Sequence, residues 1–92
     1  MATDPLTTLE AAETVVEERR ETDLAIALVT LMHELASAEQ TPMAFYEHRA
    51  RMRIRAIERF EVRCADAELS FSNQYADAQN DYIAALAALR VD

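Results

Sequence analysis

Ala38-Glu39-Gln40-Thr41-Pro42-Met43-Ala44-Phe45 is the stretch that decides the fold. Thr41-Pro42 is the interior punctuation mark between two long helical patterns, in a chain with no glycine. A helix start needs an acceptor for its exposed first-turn amides, and the Thr41 hydroxyl offers one. Proline suits the first helical position, because the N–H it lacks has no intrahelical partner there. The sequence therefore predicts an all-α protein: a long antiparallel helical hairpin with helices over about 5–38 and 42–90. The second helix is read as continuous, with residues 70–73, Ser-Phe-Ser-Asn, as the one place where it bends or breaks.

Working outward, the first pattern opens at Asp4-Pro5, with Asp4 as cap and Pro5 as first helical residue. Leu6, Leu9, Val16, Leu24, Ala27, Leu31, Leu35 and Ala38 fall on one stripe at helical spacing. Glu13 and Arg20 interrupt the stripe, and Glu10, Glu17, Glu18 and Glu21 keep this half acidic, which favours the positive end of the helix dipole. From Leu24 to Met32 the chain is apolar nearly all round. A helix of that kind is covered on more than one side. One partner helix within a hairpin covers only one, so this segment predicts assembly as a helical bundle, a homodimer or higher oligomer of the chain, with another protein as a further partner.

The second pattern carries Phe45, Met52, Ala56, Phe60, Cys64, Ala67, Phe71, Tyr75, Ala78, Tyr82, Ala85 and Leu89 on a continuous face. Its spacings of three and four suit knobs-into-holes packing, and its alanines allow close approach. The residues expected to carry interaction are Leu24, Leu28, Leu31, Met32, Leu35, Phe45, Phe60, Phe71, Tyr75, Tyr82 and Leu86.

Ninety-two residues make a single helical domain, 1–92, near the lower size limit for an independent core. The formal net charge of -8 opposes a general affinity for nucleic acid or anionic membranes. A lone cysteine, Cys64, makes no internal disulfide and fits a reducing compartment. No stretch has the length of a membrane span and the N-terminus lacks a secretory pattern. The expected location is cytoplasmic, or within a particle assembled in the cytoplasm.

All nine Lys/Arg positions are arginine, which either G- and C-rich codon usage or selection against the lysine amine produces, and six of them lie from Arg49 to Arg63. If the hairpin turns at Thr41, Arg59 returns beside Asp23, and Arg55 beside Glu21 or Glu34. The cluster then consists mainly of ion pairs. Its rival reading is an RNA or polyanion contact through the outward-facing Arg51, Arg55 and Arg59. Arg49 and Arg53 fall on the apolar stripe and need a carboxylate, for which Glu34 is the candidate. His33 and His48 approach each other across such a turn, but neither helix has two metal ligands at i,i+3 or i,i+4. With no nucleotide loop and no nucleophile–base pair either, the expectation is no metal, no cofactor and no enzyme. The function expected is a small protein–protein interaction module: an adaptor, chaperone, inhibitor or virion or assembly component.

Two family resemblances attach to particular residues. Glu18-Arg19-Arg20-Glu21 with the Pro42 boundary resembles the all-helical chorismate mutases, which implies a small helical enzyme with arginines on a dianionic substrate. The lysine that family uses has no counterpart here, and no basic residue–Glu pair follows the proline. Arg59-Phe60-Glu61-Val62 and the run Asp77 to Leu86 resemble the coiled-coil helices of TolC-type efflux channels, which implies helical packing. No glycine follows Val62.

Overall fold

A computed structural model of the chain describes residues 4–90. It is an all-α helical hairpin: α1 spans Pro5–Glu39, a single 3-10 turn spans Met43–Phe45, and α2 spans Tyr46–Leu89. There is no strand among the described residues. Pro5 is the first residue of α1, as the sequence predicts. The Asp4 carbonyl accepts from the Thr8 amide at 3.0 Å, while its carboxylate accepts from the Thr7 hydroxyl at 3.5 Å. Helix α2 runs unbroken through residues 70–73, so the alternative of a break there is excluded. Gln74 donates to the Ser70 hydroxyl at 2.9 Å, which gives that polar stretch an i,i+4 contact along the helix.

The turn departs from the sequence reading. Pro42 is extended, with φ -55° and ψ 144°, and is not the first residue of α2. Its carbonyl accepts from the Phe45 amide at 2.9 Å and closes the 3-10 turn, after which α2 begins at Tyr46. Thr41 caps nothing; its hydroxyl donates to the Met52 sulfur at 3.4 Å. The turn needs no glycine because no described residue has positive φ.

The extended chain around Pro42 climbs past the end of α1 before α2 turns back. The two contacts that bracket this region, Thr41 with Met52 and Glu34 with Arg59, show the consequence. Arg59 meets Glu34, eleven residues further along than Asp23, where a turn at Thr41 would have placed it. The first turns of α2 extend beyond α1, which explains why Met43, Phe45 and Tyr46 are all exposed.

The packing falls into two compact units, each made from both helices. One joins residues 4–21 with 68–90; the other is Thr22–Ala67. In the first, Val16 and Ala78 are buried, with Phe71, Tyr75, Tyr82 and Leu86 half-buried around them. In the second, Ala27, Ala38, Ala56 and Ala67 are buried, flanked by Leu24, Leu31, Leu35, Met52, Phe60 and Cys64.

The buried residues are spaced by eleven: Val16, Ala27 and Ala38 on α1, and Ala56, Ala67 and Ala78 on α2. Eleven residues make three turns at 3.67 residues per turn, close to the natural 3.6, so such a stripe drifts little around its helix. Half-buried positions repeat with the same period, as in Phe60, Phe71 and Tyr82. Alanine has no side chain to hold helices apart, so the backbones close in on these positions. The predicted stripe is correct at these residues but fails at its ends. Leu6, Phe45 and Leu89 are exposed, and Phe45 precedes α2 beyond the end of α1.

Candidate interaction surface

The seam of the Thr22–Ala67 unit has two unlike edges. On α1, Asp23 and Glu34 flank the buried alanines on one side, and Leu24 and Leu35 flank them on the other. On α2, Arg63 and Cys64 occupy the corresponding positions beside Ala67. Arg63 donates to Glu34 at 3.4 Å, which places those two residues on a common edge. Leu24, Leu35 and Cys64 therefore share the opposite edge.

The charged edge is closed. Arg59 donates to Glu34 through Nε at 3.0 Å and through Nη2 at 2.7 Å, and Arg63 adds a second cation. The Glu34 carboxyl is held below the ordinary carboxylate range, chiefly by the hydrogen bond from Arg59 and then by the nearby positive charges, with burial opposing. A depressed carboxyl contributes stability that is complete above its unfolded value and is lost as pH falls through its folded value. Helicity is thus expected to decline on acidification below the ordinary carboxylate range, and Glu34→Gln to flatten that decline. Circular dichroism across an acid titration checks it; identical acid profiles for wild type and variant would contradict the assignment.

The apolar edge stays open. Outward from Leu24, Leu35 and Cys64 lie Leu28, Met32 and Ile57, exposed by 50%, 60% and 45%. On the other sides of α1, Ile26 and Val29 are exposed by 58% and 53%. The segment Leu24 to Met32 is apolar all round, and α2 covers only the Ala27–Leu31 side of it. Of the residues expected to carry interaction in this unit, Leu24, Leu31, Leu35 and Phe60 are half-buried in the seam. Leu28, Met32 and Phe45 face solvent.

In the other unit, Phe71, Tyr75, Tyr82 and Leu86 belong to the seam. Phe71 and Tyr75 stack with ring centroids 5.7 Å apart, and the Arg20 guanidinium lies 5.1 Å from the Phe71 centroid. Arg20 also donates to Glu68 at 2.9 and 2.6 Å, which raises its pKa further. The arginine that interrupts the α1 stripe is thereby accommodated: its guanidinium lies over an aromatic ring and meets a carboxylate. An apolar groove bounded by Leu9, Ala12, Ala78, Tyr82 and Ala85 opens in the same unit, with a volume of about 160 Å³.

The arginine cluster differs from its expected pairing. Glu34 takes Arg59 and Arg63, not Arg49 or Arg53. Arg53 is exposed, not on the buried stripe. Arg49 is half-buried against the Met43 sulfur, and its Nε is buried without a hydrogen-bond partner. Arg51 and Arg55 are exposed and make no ion pair among the described residues. His33, next to Glu34, stands level with the region of Arg59 and Phe60, so His48 is roughly 18 Å away along α2 at 1.5 Å per residue. The two histidines are not brought together. Among the described residues no three His, Cys, Asp or Glu side chains form a metal-binding group. No described helix is long and apolar enough to cross a membrane.

The sequence carried two signals that stripe counting missed: the eleven-residue period, visible in Ala27/Ala38 and Ala56/Ala67/Ala78, and the unlike neighbours Asp23-Leu24 and Glu34-Leu35 one period apart. Comparison of the chain with protein-family models, curated proteins and solved structures finds no match.

Proposed function

We propose that this chain is a small, non-enzymatic protein–protein interaction module that works by packing helices against helices. It belongs to the adaptor, chaperone, inhibitor or assembly-component kind, and acts from the cytoplasm or from a particle assembled there. The supporting observation is the stretch Ile26, Leu28, Val29 and Met32, each of which exposes half or more of its surface. Isolated exposed apolar residues are ordinary, but a contiguous patch of large ones on one helix marks an interface.

A second reading has its own support. Arg51 and Arg55 are exposed, free of ion pairs and adjacent on one face of α2, as a polyanion contact requires. Arg59, the third residue of that reading, is engaged by Glu34. The chain's net charge of -8 opposes the approach of a polyanion, so the protein-interaction reading is preferred.

One experiment separates the two. Immobilised wild type and Leu28→Arg are each offered the wild-type chain and an extract of the native host, and single-stranded RNA is titrated at low and physiological salt. The module reading expects a protein, the chain itself or another, to be retained by wild type and lost with Leu28→Arg, with negligible RNA binding at physiological salt. Salt-dependent RNA binding removed by Arg51→Gln with Arg55→Gln, and no protein retained, reverses the assignment.

A further inference from the structure

We propose that the open apolar edge of the Thr22–Ala67 unit is the seat of a second copy of this chain. Leu24, Leu28, Met32, Leu35, Ile57 and Cys64 form the buried centre of a two-fold symmetric interface. The inference rests on the interaction-module reading and names the occupant and the face.

The first argument is area. A compact monomer of 10.4 kDa exposes about 5400 Å² by the surface–mass relation. This chain exposes 7022 Å². The difference, about 1600 Å² per copy, amounts to about 3200 Å² for a pair, within the range of about 2000–5000 Å² that obligate homodimers bury. This excess is spread over the whole chain and is of the size that a pair of copies buries.

The second argument is the charge on the same edge. Helical spacing puts Arg53 of α2, Glu39 of α1 and Glu61 of α2 around the apolar patch. All three are exposed, and none makes an ion pair or side-chain hydrogen bond among the described residues. A face that carries both an unpaired cation and unpaired carboxylates at its rim is complementary to itself. Under a two-fold axis, Arg53 of each copy is offered the rim carboxylates of the other. The opposite edge also has an unpaired cation and an unpaired carboxylate among the described residues, Arg55 and Asp23, so the choice between the edges rests on the exposed apolar centre of Leu28, Met32 and Ile57. An apolar centre with a polar rim is also the usual anatomy of a stable interface.

The apolar edge is therefore covered and the edge bearing Arg55, Arg59 and Glu34 faces water. Leu28 and Met32 are half or more exposed within the single chain, so substitutions there act on association before they act on the hairpin.

The test is sedimentation of the full chain over a micromolar concentration series, with helicity recorded in parallel. Wild type is expected to be a dimer. Leu28→Arg and, separately, Met32→Arg are expected to weaken dimerisation by at least about 100-fold, because each strands a charge at a desolvated contact. Ile26→Arg, on the opposite side of α1, is expected to change it by less than about threefold. A second readout does not depend on any variant folding: the reaction of Cys64 with a maleimide slows as the wild-type concentration rises through the dimer range. A monomeric wild type, an assembly other than a dimer, equal sensitivity to Ile26→Arg, or a concentration-independent Cys64 rate each overturns the proposal. If a monomeric wild type still retains a different protein through Leu28, the second copy is the wrong occupant and the module reading stands. If it retains nothing, both fail.

Discussion

Ala56→Leu is expected to destabilise the hairpin by about 1–3 kcal/mol, the usual cost of forcing extra methylenes into a packed seam. Ala56 and Ala38 both expose none of their surface. The Thr41–Met52 and Glu34–Arg59 contacts on either side place the two residues level with each other. A leucine at either position has no room unless the helices separate, and separation opens the neighbouring contacts of Leu35 and Phe60. Because five of the six buried residues are alanine, the seam holds little other apolar area to offset that loss. Urea unfolding followed by circular dichroism at fixed protein concentration measures the effect, and Ala65→Leu, at an exposed position, serves as the control. Concentration must be fixed because association adds to apparent stability. An unchanged midpoint for Ala56→Leu would mean that the helices are not in close contact there.

Phe71→Ala carries the second large expectation, a loss of about 2 kcal/mol, below the roughly 3–5 kcal/mol of a fully buried phenylalanine because this ring is only half-buried. The ring holds two neighbours in place: Tyr75 at 5.7 Å and the Arg20 guanidinium at 5.1 Å. Removing it leaves Arg20 with Glu68 alone, in a pair exposed enough to contribute little by itself. Phe71→Leu, which keeps most of the apolar volume, is expected to retain more than half of the stability that Phe71→Ala loses. The same unfolding measurement separates them. If the two variants lose equal amounts, the aromatic and cation contacts outweigh the volume.

The two predictions draw on residues that were legible to different degrees. Ala56, Ala67, Ala78, Phe60, Phe71 and Tyr82 were all placed on the packed face from spacing alone, because helical periodicity depends only on local geometry. The eleven-residue period that unites them emerges once burial is known. The role of Arg20 was not legible, since a cation that interrupts an apolar stripe looks like a fault until its ring and its carboxylate are seen together. Leu24 to Met32 was legible as a segment needing cover on several sides, and four of its large side chains are exposed in the chain. Which edge of the seam is apolar needed the Arg63–Glu34 contact to orient α2 against α1.

The sequence by itself determined that the chain is an all-α hairpin, where α1 begins and which residue types line the seam, and it left open a break in α2 at residues 70–73, which the structure excludes. These follow from capping, proline placement and period, each set within a few residues of chain. Only the tertiary structure decided the register. The seam repeats every eleven residues, so a slip of one repeat puts alanine opposite alanine again and exchanges Glu34 for Asp23 as the carboxylate beside Arg59. Neither the alanines nor the Glu34 edge distinguishes the two alignments, although the same slip would put Ile57 in place of Glu68 beside Arg20. The turn distinguishes them: Pro42 stays extended, the 3-10 turn Met43–Phe45 follows, and α2 starts beyond the end of α1. That path shifts the facing residues by one full repeat, and it depends on where the chain travels between helices, which no helical periodicity encodes.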